Sequence, residues 1–446
     1  MPRDLATRLG CVKPRTVAVE ILAELEELDR GQAVAIAPYL NDELVRAARE
    51  RGLLVAAFEA SAAIHECWKR HRTSLGDETG VLEVAPAPKL RYLAESGFRT
   101  TYENGVVLWS PVTGAHALWW GIADYHRRQG GTAGRLGFPV TDEQSAVQPP
   151  AVLQRFQDKQ DYGHAVTEAL GIRCGATAYW SPETGVHSTW GGIGEHYELL
   201  GGPSQRLGFP IEDEEAAGPS PQGTTGWRQQ FQRGVILWSE ETRGVAVLAA
   251  PEDAPASTPS IAAYYEKAGG VTGPLGFPVG PRHDAAMSPR ATRGTLQRFQ
   301  GRWRYGVEIT DAWDGEIGGA TVYRVWRHDA EPHAVSGAIG QCHERQGGTG
   351  GWLGFPLTDE IHVELGRQVW QLFEGGAVFW TGPRDTIVVR GEFAPAQVDD
   401  LIAVLGFPTH AEEPFGRGSV QFFELGVRTV LEGTARCWVG PNRDTR

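Results

Sequence analysis

Cysteine is sparse in this chain and follows no pairing pattern. The five cysteines, Cys11, Cys67, Cys174, Cys342 and Cys437, lie far apart, show no Cys-x-x-Cys spacing and sum to an odd number. That argues against a disulfide framework or a thiolate zinc site and leaves reduced, buried thiols as the expectation. No dense run of Lys and Arg offsets the formal net charge of -13, so nucleic acid is excluded as a partner. Uninterrupted apolar stretches of spanning length are missing, and no membrane span is expected. The opening thirty residues interleave charges every few positions without an apolar core, so no secretory signal is read there. A cytoplasmic chain is expected as written, with the cell envelope or the exterior as the alternative if the chain is a trimmed mature form. The thirteen histidines are scattered; the closest pairs, His328 with His333 and His65 with His71, lack a spacing that would set both on one face with a carboxylate. No Gly-rich phosphate loop and no GxSxG elbow is present. The expectation is therefore no metal, no cofactor, no catalytic residues and no enzymatic activity.

Glycine, proline and tryptophan, by contrast, are abundant at 57, 28 and 15 residues. Together they point to short strands, tight turns and aromatic anchors. At 446 residues the chain exceeds what a single growing core accommodates, so a repeat array or several domains is required.

Internal similarity supplies the array. LGFP occurs at Leu136–Pro139, Leu207–Pro210, Leu275–Pro278, Leu353–Pro356 and Leu405–Pro408. Three copies continue into an acidic pair, Asp142 with Glu143, Asp213 with Glu214 and Asp359 with Glu360, whereas the others drift to LGFPVGPR and LGFPTHAEE. Before four of the motifs lies a short helical pattern ending in Gly-Gly, at 121–131, 191–202, 260–270 and 337–348. An Ile with Tyr three residues on, or Cys342 in the fourth copy, gives each helix one apolar face, and the glycines stop it. The fifth copy keeps the helix without Gly-Gly. Further upstream, 105–120, 176–190, 234–248 and 376–389 read as hairpins, each with a first strand that runs up to a Trp. The unit is hairpin, short helix, LGFP turn.

These residues resemble the LGFP-repeat family of cell-envelope proteins from mycolic-acid bacteria, whose repeats are often appended to mycoloyltransferases. The resemblance covers about residues 100 to 440. It implies a mainly β fold with short helices, a five-bladed propeller-like ring over 89–446, and a role in holding proteins to a cell-wall polymer. A small helical or α+β interaction domain is expected over 1–88, with helices at 16–30, 41–52 and 59–72. After the fifth LGFP, 419–440 reads as half a unit that completes the sheet begun near 90–105 and closes the ring.

Within the motif, Leu136, Gly137, Phe138 and Pro139, and likewise Phe209, Phe277, Phe355 and Phe407, are read as structural: Leu and Phe buried between units, Gly turning at positive φ, Pro ending the segment. The acidic pairs are read as turn acceptors, because an acid–base pair is needed once and a structural pair in every unit. The repeated Trp109, Trp180, Trp238 and Trp380 serve either as packing between units or as sugar-stacking platforms. His116 and His187, in TGAH and TGVH, suit either hydroxyl recognition or a cross-strand contact. The insertion 302–335, with Trp303, Trp313 and Trp326 among Arg302, Arg304, Arg324 and Arg327, is either a binding loop or a cap. Function then divides between a non-enzymatic propeller that binds a glycan or cell-wall polymer and a cytoplasmic sensor whose propeller binds a protein or foreign ligand while the N-terminal domain recruits an effector.

Overall fold

A computed structural model describes residues 54–86, 97–146, 150–157, 175–249, 259–301, 319–327, 329–363, 368–382, 385–391, 395–431 and 434–439. The helices expected at 16–30 and 41–52, and the part of the insertion at 302–318 with Trp303 and Trp313, lie outside them.

The described residues are mainly β: among them six four-stranded antiparallel sheets follow one another, and in each the strands lie in chain order. The first comprises β1 (Glu83–Ala85), β2 (Gly97–Tyr102), β3 (Gly105–Ser110) and β4 (Gly114–Trp119). The second holds β5 (Gln144–Ser145), β6 (Val152–Phe156), β7 (Ala176–Ser181) and β8 (Gly185–Trp190). The third holds β9 (Glu215–Ala217), β10 (Gly226–Phe231), β11 (Gly234–Ser239) and β12 (Arg243–Leu248). Next come β13 (His283–Asp284), β14 (Gly294–Phe299), β15 (Ala320–Val325) and β16 (His333–Ser336), then β17 (Ile361–Val363), β18 (Gln368–Phe373), β19 (Gly376–Gly382) and β20 (Asp385–Arg390). The sixth sheet is β21 (Glu413–Phe415), β22 (Gly418–Phe422), β23 (Gly426–Leu431) and β24 (Thr434–Val439). Six helices are described: α1 (Leu54–Leu75), α2 (Trp120–Arg128), α3 (Gly191–Leu199), α4 (Ile261–Lys267), α5 (Gly337–Arg345) and α6 (Pro395–Leu405). Two compact units divide the chain, one running to Glu214 and including Gln229–Gln232, the other made of Glu215–Arg228 and the residues from Arg233 onward.

Three expectations need correction. The five motifs join six sheets rather than mark five blades, because each LGFP lies between two sheets and five joints have six neighbours. Residues 419–440 do not complete the first sheet: β22 pairs with β21 and β23, and β23 with β24, so the segment forms its own sheet with β24 at the edge. The boundary at 88/89 cuts through the first sheet, since β1 precedes it and pairs with β2, and α1 packs against β2, β3 and β4. The helix expected at 59–72 is present and longer, since α1 spans Leu54–Leu75.

Local sequence explains the repeated parts. Each hairpin between third and fourth strands in the first three sheets closes through a Ser-x-x-Thr turn: the N–H groups of Thr113, Thr184 and Thr242 donate to Ser110, Ser181 and Ser239 Oγ at 3.1, 3.1 and 2.9 Å. The linker helices stop as expected, with Gly130, Gly201, Gly269 and Gly347 left-handed at φ 87 to 95° and relieving the Cβ clash at the helix end. The buried face is set by Ile122, Ile193, Ile261 and Ile339 together with the residue four positions on, His126, Tyr197, Tyr265 and His343. In the second copy this places Tyr197, not the third-position His196, against the core.

Cores form at the joints. Leu118, Ile122, Tyr125, Leu136, Phe138 and Phe156 pack together between the first and second sheets. In the other unit, Ile261, Tyr265, Leu275, Phe277 and Phe299 do the same between the third and fourth. Among the described residues no helix is long and apolar enough to cross a membrane.

Candidate binding sites

The LGFP turn itself is an adhesive segment. Its glycine is left-handed in all five copies, at φ 72, 68, 69, 72 and 73° for Gly137, Gly208, Gly276, Gly354 and Gly406, a region that disfavours any residue with a Cβ. Its proline bridges the end of the next sheet's second strand, as Pro139 does with Phe156 and Pro278 with Phe299. Proline suits this place because its neighbours make the bonds. Gln157 N–H donates to Phe138 O at 2.9 Å and Val140 N–H to Arg155 O at 2.8 Å. A Gln or Glu then accepts the motif Phe N–H in every copy: Gln157, Gln232, Gln300, Glu374 and Glu424 at 2.9 to 3.3 Å. The carbonyl of the motif glycine faces the preceding helix, where His126 and Tyr197 reach Gly137 O and Gly208 O at 2.9 and 2.6 Å. Tyr265 and His343 repeat the contact. Leu136, Phe138, Phe277, Phe355 and Phe407 are buried; Phe209 is only half-buried.

The acids after the motif satisfy an exposed strand edge. The fourth strand of each sheet carries backbone groups that no further strand takes up. Asp142 Oδ1 accepts Ala117 N–H at 3.0 Å, Asp213 Oδ1 accepts Ser188 N–H at 3.1 Å and Asp359 Oδ1 accepts Ala334 N–H at 2.8 Å. The carbonyls of the same residues accept from fully buried glutamines of the next sheet: Gln154, Gln229 and Gln371 at 3.0, 2.8 and 2.8 Å. Gln297 and Gln421 do the same for Ala246 and Val388. The drifted motifs LGFPVGPR and LGFPTHAEE thus keep the glutamine and lose the aspartate.

Histidine accompanies each aspartate. His116 Nδ1 lies 3.2 Å from Asp142 Oδ1, and its Nε2 lies 3.0 Å from Thr113 O. His187 and His333 lie 3.5 Å from Asp213 and Asp359. His333, weighed in the sequence only against His328 as a metal pair, belongs with His116 and His187, because it precedes its aspartate by the same interval. Tyrosines from the preceding helix complete two of these sites: Tyr125 and Tyr264 donate to Asp213 and Asp359 at 2.7 and 2.9 Å. Burial raises both carboxyls. For Asp213, His187, Tyr125 and the Ser188 N–H outweigh it; for Asp359, His333, the Ala334 N–H and Tyr264 do, leaving both below the ordinary aspartate range. Glu143 differs, pushed up to about 7 first by burial, against the pull of the Trp119 N–H, with the charge of Asp142 adding to the rise.

At Asp142 the tyrosine's place is taken by His71 of α1, whose Nε2 lies 2.9 Å from Oδ2. Helix α1 therefore meets the first sheet much as a linker helix meets the sheet after it. Cys67, His71 and Asp142 bring three metal-ligating atoms within 4.8 Å of one another. Burial and then Asp142 push the Cys67 thiol up to about 11, and Arg70 stands 3.8 Å from Asp142 Oδ2. The arrangement favours a hydrogen-bonded joint. Cys342 is also buried, but Cys437 is exposed, against the expectation of buried thiols throughout.

The repeated tryptophans do not form an exposed row. Trp109 is buried and Trp180, Trp238 and Trp380 are half-buried. Exposed indoles lie elsewhere: Trp120 at 65%, Trp438 at 58%, Trp326 at 52% and Trp227 at 42%. Of these the sequence reading singled out only Trp326. Trp120 was legible, since it opens α2 where α3 and α5 open on glycine; it stands at φ 45°, against 55° for Gly191 and 54° for Gly337.

The LGFP repeat family matches residues 88–134, 136–205, 207–273 and 353–396, together just over half of the chain, and the chain belongs to that family. The third and fifth motifs head segments beyond these matches, yet carry the same joint. No match is found among curated proteins. Among solved structures, virginiamycin B lyase from Staphylococcus aureus aligns at 7% identity over 83% of this chain and 87% of that one, with a TM-score of 0.12. The Dos1 propeller aligns at 8% identity over 78% and 71%, with a TM-score of 0.12. A mutant of AofleA from Arthrobotrys oligospora aligns at 8% over 83% and 89%, also at 0.12. Likenesses this slight carry no argument about fold or activity.

Proposed function

We propose that the chain is a non-enzymatic binding protein whose tandem LGFP sheets present exposed tryptophans to a glycan or cell-wall polymer. The observation that carries the reading is Trp120. A left-handed conformation costs an L-residue about 1–2 kcal/mol, and exposing an indole forgoes its burial, so a tryptophan at 65% exposure and φ 45° is poorly explained by folding alone. Backbone strain paired with an exposed recognition group marks a contact site, and an indole face suits the C–H face of a sugar. The Asp–His pairs support a non-enzymatic reading, because three copies perform the same backbone service.

Sedimentation of the full chain with insoluble arabinogalactan–peptidoglycan tests the proposal. Co-sedimentation is expected, and Trp120→Gly should reduce it at least about tenfold while leaving the melting temperature equal or higher, since glycine is the residue this backbone favours. Failure of the native chain to bind, or undiminished binding by Trp120→Gly and Trp326→Ala alike, would overturn it.

A further inference from the structure

Helices α2 and α4 share a pair of adjacent residues with fixed tasks. The second of the pair, His126 or Tyr265, reaches the carbonyl of the motif glycine that follows its own helix. The first, Tyr125 or Tyr264, donates its hydroxyl to the aspartate of the next motif, Asp213 or Asp359. Helix α1 follows the same plan. Trp68 Nε1 donates to Gly76 O at 3.0 Å, and Gly76, left-handed at φ 77°, stands in a Leu-Gly step like that of the motif. The residue before Trp68 is Cys67, so a thiol stands where the other two helices place a phenol. The aspartate of the next motif is Asp142.

A second donor atom arrives one turn later. His71 follows Cys67 by four residues, which sets both on one face of α1, and its Nε2 lies 2.9 Å from Asp142 Oδ2. The Trp119 ring flanks the imidazole at 5.2 Å. One hydrogen-bond donor is enough to hold such a carboxylate, as the tyrosines show, so the buried thiol is not needed for that task. Asp142 Oδ1 is engaged by the Ala117 N–H at 3.0 Å and by His116 Nδ1 at 3.2 Å, which fixes the carboxylate and leaves Oδ2 to the helix. Cys67 is buried, whereas His71 and Asp142 are half-buried, so an ion enters from their side.

We propose that Cys67, His71 and Asp142 bind one zinc ion, with water in the fourth position, and that the ion clamps α1 to the first joint. Thiolate, imidazole and carboxylate are each ordinary zinc ligands, and bonds of about 2.0–2.3 Å set tetrahedral donors about 3.3–3.6 Å apart. The three ligand atoms lie within 4.8 Å of one another, with His71 and Asp142 at 2.9 Å, so side-chain shifts of about 1 Å complete the geometry. Binding releases the Cys67 proton to solvent and moves the His71 proton to Nδ1. Arg70, which hydrogen-bonds Cys67 and stands 3.8 Å from Asp142 Oδ2, is exposed and turns into water as the ion arrives. Without the ion, hydrogen bonds hold the joint. A search for paired histidines misses this set, because the carboxylate lies 71 residues from His71 in the chain. The inference is independent of the tryptophan reading.

The test is titration of the reduced full chain with Co²⁺ and Zn²⁺, followed by absorption, calorimetry and thermal unfolding. One equivalent of Co²⁺ should give a thiolate-to-cobalt charge-transfer band that Zn²⁺ abolishes, and Zn²⁺ should raise the melting temperature. Mg²⁺ should not compete, because a thiolate and an imidazole select against it. Cys67→Ser should remove the band and weaken Zn²⁺ binding at least about tenfold, the loss that even an outer-shell partner causes. Cys437→Ser, which changes an exposed cysteine, should leave both unchanged. Asp142→Asn keeps an oxygen for the Ala117 N–H and should also weaken Zn²⁺ at least about tenfold, so the proposal stays testable if Cys67→Ser fails to fold. Absence of saturable one-to-one binding, a Co²⁺ band retained by Cys67→Ser, undiminished Zn²⁺ binding by Asp142→Asn, or equal competition by Mg²⁺ overturns the proposal.

Discussion

Phe277 and Phe209 hold the same place in the motif but not the same environment. Phe277 is fully buried, and its ring lies where a Cβ on Gly226 would fall, 3.0 Å away. Phe277→Ala should therefore cost about 3–5 kcal/mol, as truncations of core aromatics do, and denaturant unfolding of the full chain measures it. Phe209 is half-buried, so Phe209→Ala should cost clearly less; an equal loss at the two positions would refute burial as the determinant. The aspartates make a second prediction at this scale. Asp213 and Asp359 have carboxyls held below the usual aspartate value, so their contribution is fully present above about pH 4. It is lost as the pH falls through the lowered folded value. Stability followed by urea unfolding from pH 5 downward should decline, and Asp213→Asn should make that decline shallower; an unchanged acid limb in the variant would show that Asp213 contributes nothing.

The joint is the element that repeats. Gln371 Nε2 donates to Ala334 O at 2.8 Å and to Thr358 O at 2.7 Å, tying a strand edge to the turn beyond it, and Gln297 does the same with Ala246 O and Gly280 O. Gln371→Leu fits the space but strands two carbonyls, which should cost about 1–3 kcal/mol. Thermal unfolding tests this, and no change would mean that water replaces the amide. Much of the joint was legible: the left-handed glycine follows from LGFP, the helix stop from Gly-Gly, and the recurrence of the acidic pair marked it as part of the scaffold. Other parts were hidden for physical reasons. First strands such as β5 and β13 are two residues long, too short to show an alternating pattern. The sixth sheet resembles half a unit in the sequence because no helix or LGFP motif follows it.

At the scale of the whole chain, a repeat array is held together by contacts between neighbours rather than by independent sheets. The C-terminal end shows where such contacts begin and end. Trp370, Leu372, Phe379, Val398, Leu401, Leu405, Phe407 and Phe423 form one buried cluster, so the fifth sheet is covered by α6, the fifth motif and the end of the second strand of the sixth sheet. Glu424 belongs to the same joint, since it accepts Phe407 N–H at 3.1 Å. Beyond it, β24 is exposed along its whole length. Two truncations should therefore behave differently although both remove part of the array. A chain ending at Gly391 loses the cover over the fifth sheet, and it should melt well below the full chain and bind a hydrophobic dye. A chain ending at Leu425 keeps the joint and loses β23 and β24, and its melting temperature should fall much less. Scanning calorimetry with dye binding distinguishes the cases; equal destabilisation by both truncations would mean that the complete sheet, and not the joint, is the cooperative unit.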